Sequence, residues 1–214
     1  SALSFRHFVL GTVAIFIYVG VEVGIPNFAN LFMTSPEINI DPTIAGSVVG
    51  TYWFLMMIGR LCGASIGAKV SSRAMLTVVS TVGIALVLGA IFCADNILVN
   101  MPVFKSDISF GFAQVPVNVM LLILCGLCTS VMWGGIFNLA VEGLGKYTAA
   151  ASGLFMVMVC GGGILPLIQG GVADFAGFLN SYWVIALGLA YILFYAAIGS
   201  KNVNTDIPTA DYEA

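Results

Sequence analysis

Six apolar runs, each about as long as a membrane-spanning helix, constrain this chain more than any other feature. A helix needs roughly 20 apolar residues to cross the hydrocarbon core of a bilayer. Hydrophobic residues make up 60% of the chain and charged residues only 8%. We therefore predict an all-α membrane protein with six transmembrane helices in a single domain, residues 1–214. The predicted spans are 8–33, 46–68, 74–93, 117–141, 149–171 and 181–199, and residues 200–214 form a tail.

The positively charged residues predict how these helices are oriented. Six spans put both termini on one side of the membrane, and that side collects most of the lysine and arginine, which are enriched in cytoplasmic loops. We therefore expect both termini and the tail to be cytoplasmic. The net charge of −3 is small and does not indicate a nucleic-acid partner. The termini side carries Arg6, Arg60, Lys69, Arg73, Lys146 and Lys201, and the other side carries Lys105.

The first run contains a carboxylate, Glu22, within the stretch FIYVGVEVGIPNF. An ionised acid inside a membrane is costly unless it faces a cavity or a partner, so Glu22 is a candidate binding residue; the alternative is a protonated, hydrogen-bonded core acid. Pro26 has no N–H, which leaves the carbonyl of Glu22 without its helical donor and predicts a kink. Tyr18 lies one turn before Glu22 on the same face, and Asn27 follows Pro26. Such a helix can bind a hydroxyl-rich solute.

The fifth run contains the segment GGGILPLIQGG at 161–171. Pro166 frees the carbonyl of Gly162, and the neighbouring glycines lower the cost of bending. This pattern predicts a flexible or broken helix, which membranes tolerate only where protein or water satisfies the backbone. The alternative is a simple packing kink. Gln169 lies just beyond the predicted break.

The second run carries glycines at every fourth position, Gly59, Gly63 and Gly67. This spacing gives one smooth helix face and predicts close packing against another helix. Arg60 lies beside that face. Two alternatives are open for it: it extends to water as an anchor, or it pairs with Glu142 of the fourth run as a gate.

Polar residues are unevenly distributed among the runs. The third and sixth runs contain no charge and no proline, which is typical of helices that face lipid. The first, second, fourth and fifth runs hold the polar residues, which in the fourth run include Asn138 and Glu142. We expect these four helices to line an aqueous cavity.

Four segments together resemble a known family: FIYVGVEVGIPNF, TYWFLMMIGRLCG, IFNLAVEGLGKYTAAASG and GGGILPLIQGGVAD. In order and spacing they are similar to the seventh, eighth, tenth and eleventh helices of the fucose, galactose and glucose:proton symporters, within the major facilitator superfamily. The glutamate of the first segment resembles the glucose/galactose branch. Pro26, Asn27 and the WGG at 133–135 differ from the family pattern, so the resemblance does not identify the sugar.

The resemblance implies that the chain is the C-terminal half of a twelve-helix, proton-coupled hexose symporter in a bacterial inner membrane, built from two inverted three-helix repeats. Its implied partners are the missing N-terminal half, the lipid bilayer, protons and a hexose such as glucose, galactose or fucose, with no cofactor. The proton-coupling carboxylates are implied to lie mainly in the other half. The candidate substrate-binding residues are Tyr18, Glu22, Asn27, Trp53, Trp133, Asn138 and Gln169, and the candidate gating residues are Pro26, Arg60, Glu142, Gly162 and Pro166.

Some alternatives remain open from the sequence. The rings of Trp53 and Trp133 could stack on a sugar or face lipid. The chain could also be a self-contained six-helix channel or transporter that acts as a homodimer. An intramembrane enzyme would need a nucleophile, a base or a metal cluster, and the lone His7 has no ligand partner nearby in the sequence, so we expect no enzymatic activity.

Overall fold

The computed structural model of the chain describes residues 1–93, 97–105, 107–207 and 209. Six helical segments within these residues are long and apolar enough to cross a membrane, which confirms the predicted number of spans. We call them spans 1 to 6 in chain order: Arg6–Met33, Pro42–Ile66, Ser72–Phe92, Val117–Val141, Gly145–Ala176 and Phe178–Gly199.

The first three spans are single helices, α1 (Arg6–Met33), α2 (Pro42–Ile66) and α3 (Ser72–Phe92). α2 begins four residues before its predicted span, because residues 41 and 42 favour the start of a helix there. The carboxylate of Asp41 accepts a hydrogen bond from the main-chain N–H of Thr43 at 2.8 Å, and a proline occupies the first turn. Both features favour the start of a helix.

Span 4 is interrupted near its middle. It consists of α4 (Val117–Thr129) and α5 (Met132–Val141). The hydroxyl of Ser130 donates to the carbonyl of Leu127 at 2.6 Å, and the hydroxyl of Thr129 also bonds back to the preceding turn. Such bonds compete with the helical pattern and bend helices. The sequence analysis did not predict this interruption.

Span 5 is also interrupted, at a different position from the one predicted. α6 (Thr148–Val157) is followed by a 3₁₀ turn at Met158–Cys160 and then by α7 (Gly161–Ala176). The irregular turn therefore precedes the glycines, and Pro166 lies inside α7. In span 1, α1 is helical through Pro26.

Span 6 ends in an irregular turn, and the chain then returns to the start of span 1. α8 (Phe178–Phe194) continues into a π-helical turn at Tyr195–Gly199. Beyond it, the side-chain oxygen of Asn204 accepts a hydrogen bond from the main-chain N–H of Arg6 at 2.8 Å. The described part of the tail thus lies at the same end of the helices as the N-terminus, as six spans require.

The segment between spans 3 and 4 forms a β-hairpin. β1 (Leu98–Phe104) pairs with β2 (Phe110–Pro116) in antiparallel register. The main-chain N–H of Phe104 donates to the hydroxyl of Thr51 at 2.9 Å, and its ring stacks on that of Phe54 at a centroid distance of 4.8 Å. These residues lie outside the six predicted spans, and neither the hairpin nor its attachment to α2 was predicted from the sequence.

α1 is the central helix of the domain. In its most apolar window 61% of residues are buried, compared with 22% in span 5. Glycines bring α1 and α7 into close contact: Gly161 lies against the main chain of Phe16, and Gly20 lies against the side chain of Leu165. No side chain larger than hydrogen fits at these two positions without displacing a helix.

The glycine face of α2 packs against the interruption of span 4. Gly59 lies against Ser130, and Gly63 lies against Val131. Gly67, the third glycine, has only the tip of the Met75 side chain near it outside its own helix. The predicted packing role therefore fits Gly59 and Gly63, and it brings Arg60 close to Ser130.

Candidate functional site

A charged pair connects α1 with α2 inside the membrane-spanning region. One guanidinium nitrogen of Arg60, Nη2, lies 3.4 Å from Glu22 Oε1. The side chain of Glu22 is 18% exposed and that of Arg60 is 56% exposed. Charged side chains at this depth need a partner or water, and here each supplies the other with an opposite charge.

Arg60 also contacts the interrupted span. Its Nε donates a long hydrogen bond, 3.4 Å, to the carbonyl of Ser130, which directly follows α4. The C-terminal end of a helix carries a partial negative charge. Arg60 therefore lies between two negative groups, the Glu22 carboxylate and the end of α4, and it connects three spans.

The structure places Arg60 on Glu22 and not on Glu142. Glu142 is exposed just beyond the end of α5, and its main-chain carbonyl accepts a hydrogen bond from His7 Nε2 at 2.7 Å. The twelve residues that separate Ser130 from Glu142 along span 4 correspond to about 18 Å of helix. An arginine that contacts Ser130 is too far away to reach Glu142 as well.

Two buried tyrosines complete the network. Tyr18 donates to the carbonyl of Thr129 at 3.0 Å. Tyr52 donates to the carbonyl of Glu22 at 3.0 Å, and its oxygen lies 3.2 Å from the hydroxyl of Thr129. The Glu22 carbonyl is the one that Pro26 deprives of a helical donor, so a side chain on α2 supplies the missing hydrogen bond.

A cleft of about 530 Å³ opens beside the charged pair. Three of the candidate residues, Arg60, Trp133 and Asn138, line it together with Ser130. The ring of Trp133 stacks on that of Phe137 at a centroid distance of 5.4 Å and an interplanar angle of 12°. The cleft thus combines a cation, an amide and an aromatic surface.

A second cleft of about 460 Å³ adjoins the first, since both are lined by Ser72 and Asn138. The Asn138 amide donates to the hydroxyl of Ser72 at 3.4 Å. Arg73 and Glu142 also line this second cleft. The candidate gating residue Glu142 therefore lies near Asn138, at the end of the domain that carries the termini.

Glu22 contacts Arg60 but is not among the described residues that line either cleft, and neither are Asn27 and Trp53. Asn27 is exposed on α1. Trp53 is 44% exposed on α2, and its ring meets the edge of Tyr52 at 5.1 Å.

The candidates on α7 lie in helix packing. Gln169 is 1% exposed; its amide nitrogen lies 3.4 Å from the hydroxyl of Ser181 on α8, and its amide oxygen faces Gly24 on α1. Gly162 lies against Val19. The structure does not bring these residues, or Pro166, to the cleft that Arg60 lines.

Three residues of this site were absent from the sequence-based candidates: Tyr52, Thr129 and Ser130. A partial signal for Tyr52 existed, because the proline after Glu22 requires an outside donor for the freed carbonyl. That requirement does not say which helix provides the donor. Thr129 and Ser130 have no comparable signal, since their role depends on the interruption of span 4.

The site offers binding groups rather than reacting groups. The carboxylate of Glu22 accepts hydrogen bonds, the guanidinium of Arg60 donates them and the amide of Asn138 does both. Within residues 1–93, 97–105, 107–207 and 209, no group of three or more histidine, cysteine, aspartate or glutamate residues could hold a metal ion. The arrangement suits a polar, uncharged solute.

Comparison with curated proteins identifies relatives among bacterial sugar transporters, whereas no protein-family model matches the chain. The chain is 32% identical to the glucose/galactose transporter of Brucella abortus biovar 1 (strain 9-941) over 203 residues, which are 94% of this chain and 44% of the relative. It is 32% identical to a putative glucose/galactose transporter of Helicobacter pylori (strain ATCC 700392 / 26695), over 94% of this chain and 46% of the relative. It is 23% identical to the L-fucose-proton symporter of Escherichia coli (strain K12), over 92% and 41% respectively.

The fold matches a solved transporter. The crystal structure of the major facilitator superfamily transporter FucP in the outward conformation superposes with a TM-score of 0.77 and 23% identity. The match covers 92% of this chain and 43% of that chain.

The six helices therefore form half of a major facilitator superfamily fold in an integral, multi-pass membrane protein. The chain is homologous to glucose/galactose transporters and to the fucose:proton symporter, consistent with their C-terminal half. It spans about half the length of these curated relatives. The names of the relatives describe transporters and not enzymes.

Proposed function

We propose that this chain supplies the C-terminal half of a twelve-helix sugar transporter, and that the sugar binds beside the pair formed by Glu22 and Arg60. The transporter moves a hexose together with protons by alternating access across a bacterial inner membrane. Both termini of the chain lie in the cytoplasm, as the distribution of lysine and arginine favours.

The exposed guanidinium of Arg60 carries this proposal. A side chain that is 56% exposed on a membrane-spanning helix faces hydrocarbon, water or another protein surface. A charged residue in hydrocarbon costs at least about 2.5 to 3.5 kcal/mol on insertion scales. Water or a polar surface is therefore the favourable environment for Arg60. A solute pathway between two halves of a transporter provides such an environment.

The groups around Arg60 fit a sugar. Each hexose hydroxyl both donates and accepts hydrogen bonds, which matches the carboxylate of Glu22, the guanidinium of Arg60 and the amide of Asn138. The C–H face of a sugar ring packs well on an aromatic ring. Trp133, whose ring stacks on Phe137, lines the same cleft as Arg60 and provides such a surface. We place the sugar among these side chains.

The relatives favour particular substrates and a particular assembly. The two relatives at 32% identity are named for glucose and galactose, and the relative at 23% is named for fucose. We therefore propose glucose or galactose rather than fucose. The chain covers 44% of the glucose/galactose transporter and 43% of the solved transporter whose fold it matches, which favours a missing partner half over a homodimer.

Replacement of Glu22 tests the site. In the complete transporter we expect Glu22→Gln to weaken glucose or galactose binding roughly tenfold to a hundredfold, because a hydrogen bond to a charged group contributes about 1.5 to 3 kcal/mol. The measurements are equilibrium sugar binding in detergent and counterflow in proteoliposomes. Fucose serves as the comparison sugar.

Glu37→Gln is the matched control, because Glu37 is exposed in the turn between spans 1 and 2, whereas Glu22 lies within span 1 and pairs with Arg60. We expect it to bind sugar like the parent. Equal affinity in the parent and in Glu22→Gln, with both proteins folded, would show that the sugar does not bind to Glu22.

A further inference from the structure

We propose that Tyr52, itself oriented by Thr129, positions Glu22 for sugar binding by holding its main chain. The role rests on the proposed sugar site. Tyr52 is a positioning residue in this scheme, because its hydroxyl contacts the Glu22 backbone and not the sugar.

The carbonyl of Glu22 lacks its donor within the helix. Pro26 removes the N–H that would bond the carbonyl of Glu22 within α1. A main-chain carbonyl in apolar surroundings needs a replacement. Tyr52 is fully buried and donates its single proton to this carbonyl at 3.0 Å. The Glu22 backbone is therefore held from α2 and not from its own helix.

The hydrogen bond between Tyr52 and Thr129 has a defined direction. A carbonyl only accepts, so the one proton of Tyr52 is committed to Glu22. The bond of 3.2 Å between the oxygens of Tyr52 and Thr129 then requires the Thr129 hydroxyl as donor. Thr129 also has main-chain acceptors in the preceding turn, so it shares its proton among them and orients the Tyr52 oxygen.

Two consecutive residues of span 4 hold the main chain and the side chain of Glu22. Thr129 acts through Tyr52 on the main chain. Ser130 accepts from Arg60, which binds the carboxylate. Loss of the Tyr52 hydroxyl releases the main-chain end, so the carboxylate no longer meets the sugar and Arg60 in one fixed geometry.

Tyr182, on α8, provides a matched control, because it bonds to the main chain of the same helix as Tyr52 does, α1. It is fully buried and donates to the carbonyl of Ile25 on α1 at 2.6 Å. That carbonyl has its own donor within the helix, the N–H of Ala29. Removing the Tyr182 hydroxyl therefore deletes a similar buried hydrogen bond without releasing the Glu22 carbonyl.

The experiment compares Tyr52→Phe with Tyr182→Phe, each in the parent and in Glu22→Gln, within the complete transporter. The readouts are equilibrium binding of glucose and galactose and the apparent melting temperature. We expect both variants to lower the melting temperature, but only Tyr52→Phe to weaken binding, by about twofold to tenfold. In Glu22→Gln, we expect Tyr52→Phe to add little further loss, because residues that act through one group are not additive.

We also expect Thr129→Val to weaken sugar binding, but less than Tyr52→Phe does. This variant provides the test if Tyr52→Phe does not fold. If Tyr52→Phe lowered sugar affinity by the same factor in the parent and in Glu22→Gln, the positioning role would be wrong. It would also be wrong if Tyr52→Phe and Thr129→Val both bound sugar normally while Glu22→Gln bound it weakly. If Glu22→Gln itself binds normally, the proposed sugar site is wrong and the positioning role is wrong with it.

Discussion

Spans 1 and 5 each carry a proline inside a helix, and the two prolines have different surroundings. In α1, Pro26 frees the carbonyl of Glu22, which accepts a hydrogen bond from Tyr52 at 3.0 Å. In α7, Pro166 frees the carbonyl of Gly162. Among the residues that the structure describes, no side chain donates to that second carbonyl.

Burial accounts for the difference. α1 is the most buried of the six spans, whereas span 5 is the least buried. Both α1 and α7 stay helical through their prolines. The more buried helix has more neighbours that can supply a donor to a freed carbonyl. Whether the carbonyl freed by a proline finds a donor thus depends on what the neighbouring helices provide.

We expect the largest effect on this arrangement from Gly161→Ala. A methyl group at Gly161 would overlap the main chain of Phe16, so α7 would have to move away from α1. Overpacking of this kind costs about 1 to 3 kcal/mol. The apparent melting temperature of the purified complete protein measures the loss.

Gly163→Ala is the control for Gly161→Ala, because a methyl group at Gly163 meets no atom within 4 Å. Alanine in a helix is more favourable than glycine by roughly 0.5 to 1 kcal/mol, so this variant should be equally stable or slightly more stable. If both alanine variants melted at the same temperature, the close contact of α7 with α1 would not contribute to stability.

A smaller effect distinguishes the two prolines themselves. Pro166→Ala restores a donor to a carbonyl that no described side chain serves, so we expect a gain of about 1 kcal/mol. Pro26→Ala adds a second donor to a carbonyl that Tyr52 already serves, and its gain should be clearly smaller. Melting temperatures of the two variants provide the comparison, and an equal or larger gain from Pro26→Ala would contradict it.

The sequence was sufficient to predict the general architecture. Span number follows from the lengths of the apolar runs, because a bilayer requires about 20 residues per helix whatever the packing. The selection of Glu22 as a candidate binding residue followed from the cost of a charge in such a run. The lost donor at the Glu22 carbonyl followed from the chemistry of Pro26 alone. Each of these conclusions needs only local sequence.

The sequence was insufficient for features that depend on the relative depth of different helices. Arg60 has two acids in neighbouring spans, and only the packing of Gly59 on Ser130 brings it to Glu22 rather than Glu142. Span 4 contains no proline that would predict its interruption after Thr129. The hairpin Leu98–Phe104 and Phe110–Pro116 depends on pairing across a turn and on attachment to α2.

The smallest expected effect concerns Gln169. This polar residue lies near Pro166 on α7, and Glu22 lies near Pro26 on α1. The sequence assigned both residues to sugar binding, yet Gln169 is buried between α7, α8 and α1. Gln169→Leu loses a long hydrogen bond of 3.4 Å to Ser181 and also removes a buried amide oxygen that has no partner among the described side chains. These contributions oppose each other, so we expect a stability change within about 0.5 kcal/mol.

The sugar affinity of Gln169→Leu should change far less than that of Glu22→Gln, measured by the same binding assay. A tenfold loss of affinity in Gln169→Leu at unchanged melting temperature would instead place α7 in the sugar site, and the contrast between the two proline-containing helices would then concern stability alone.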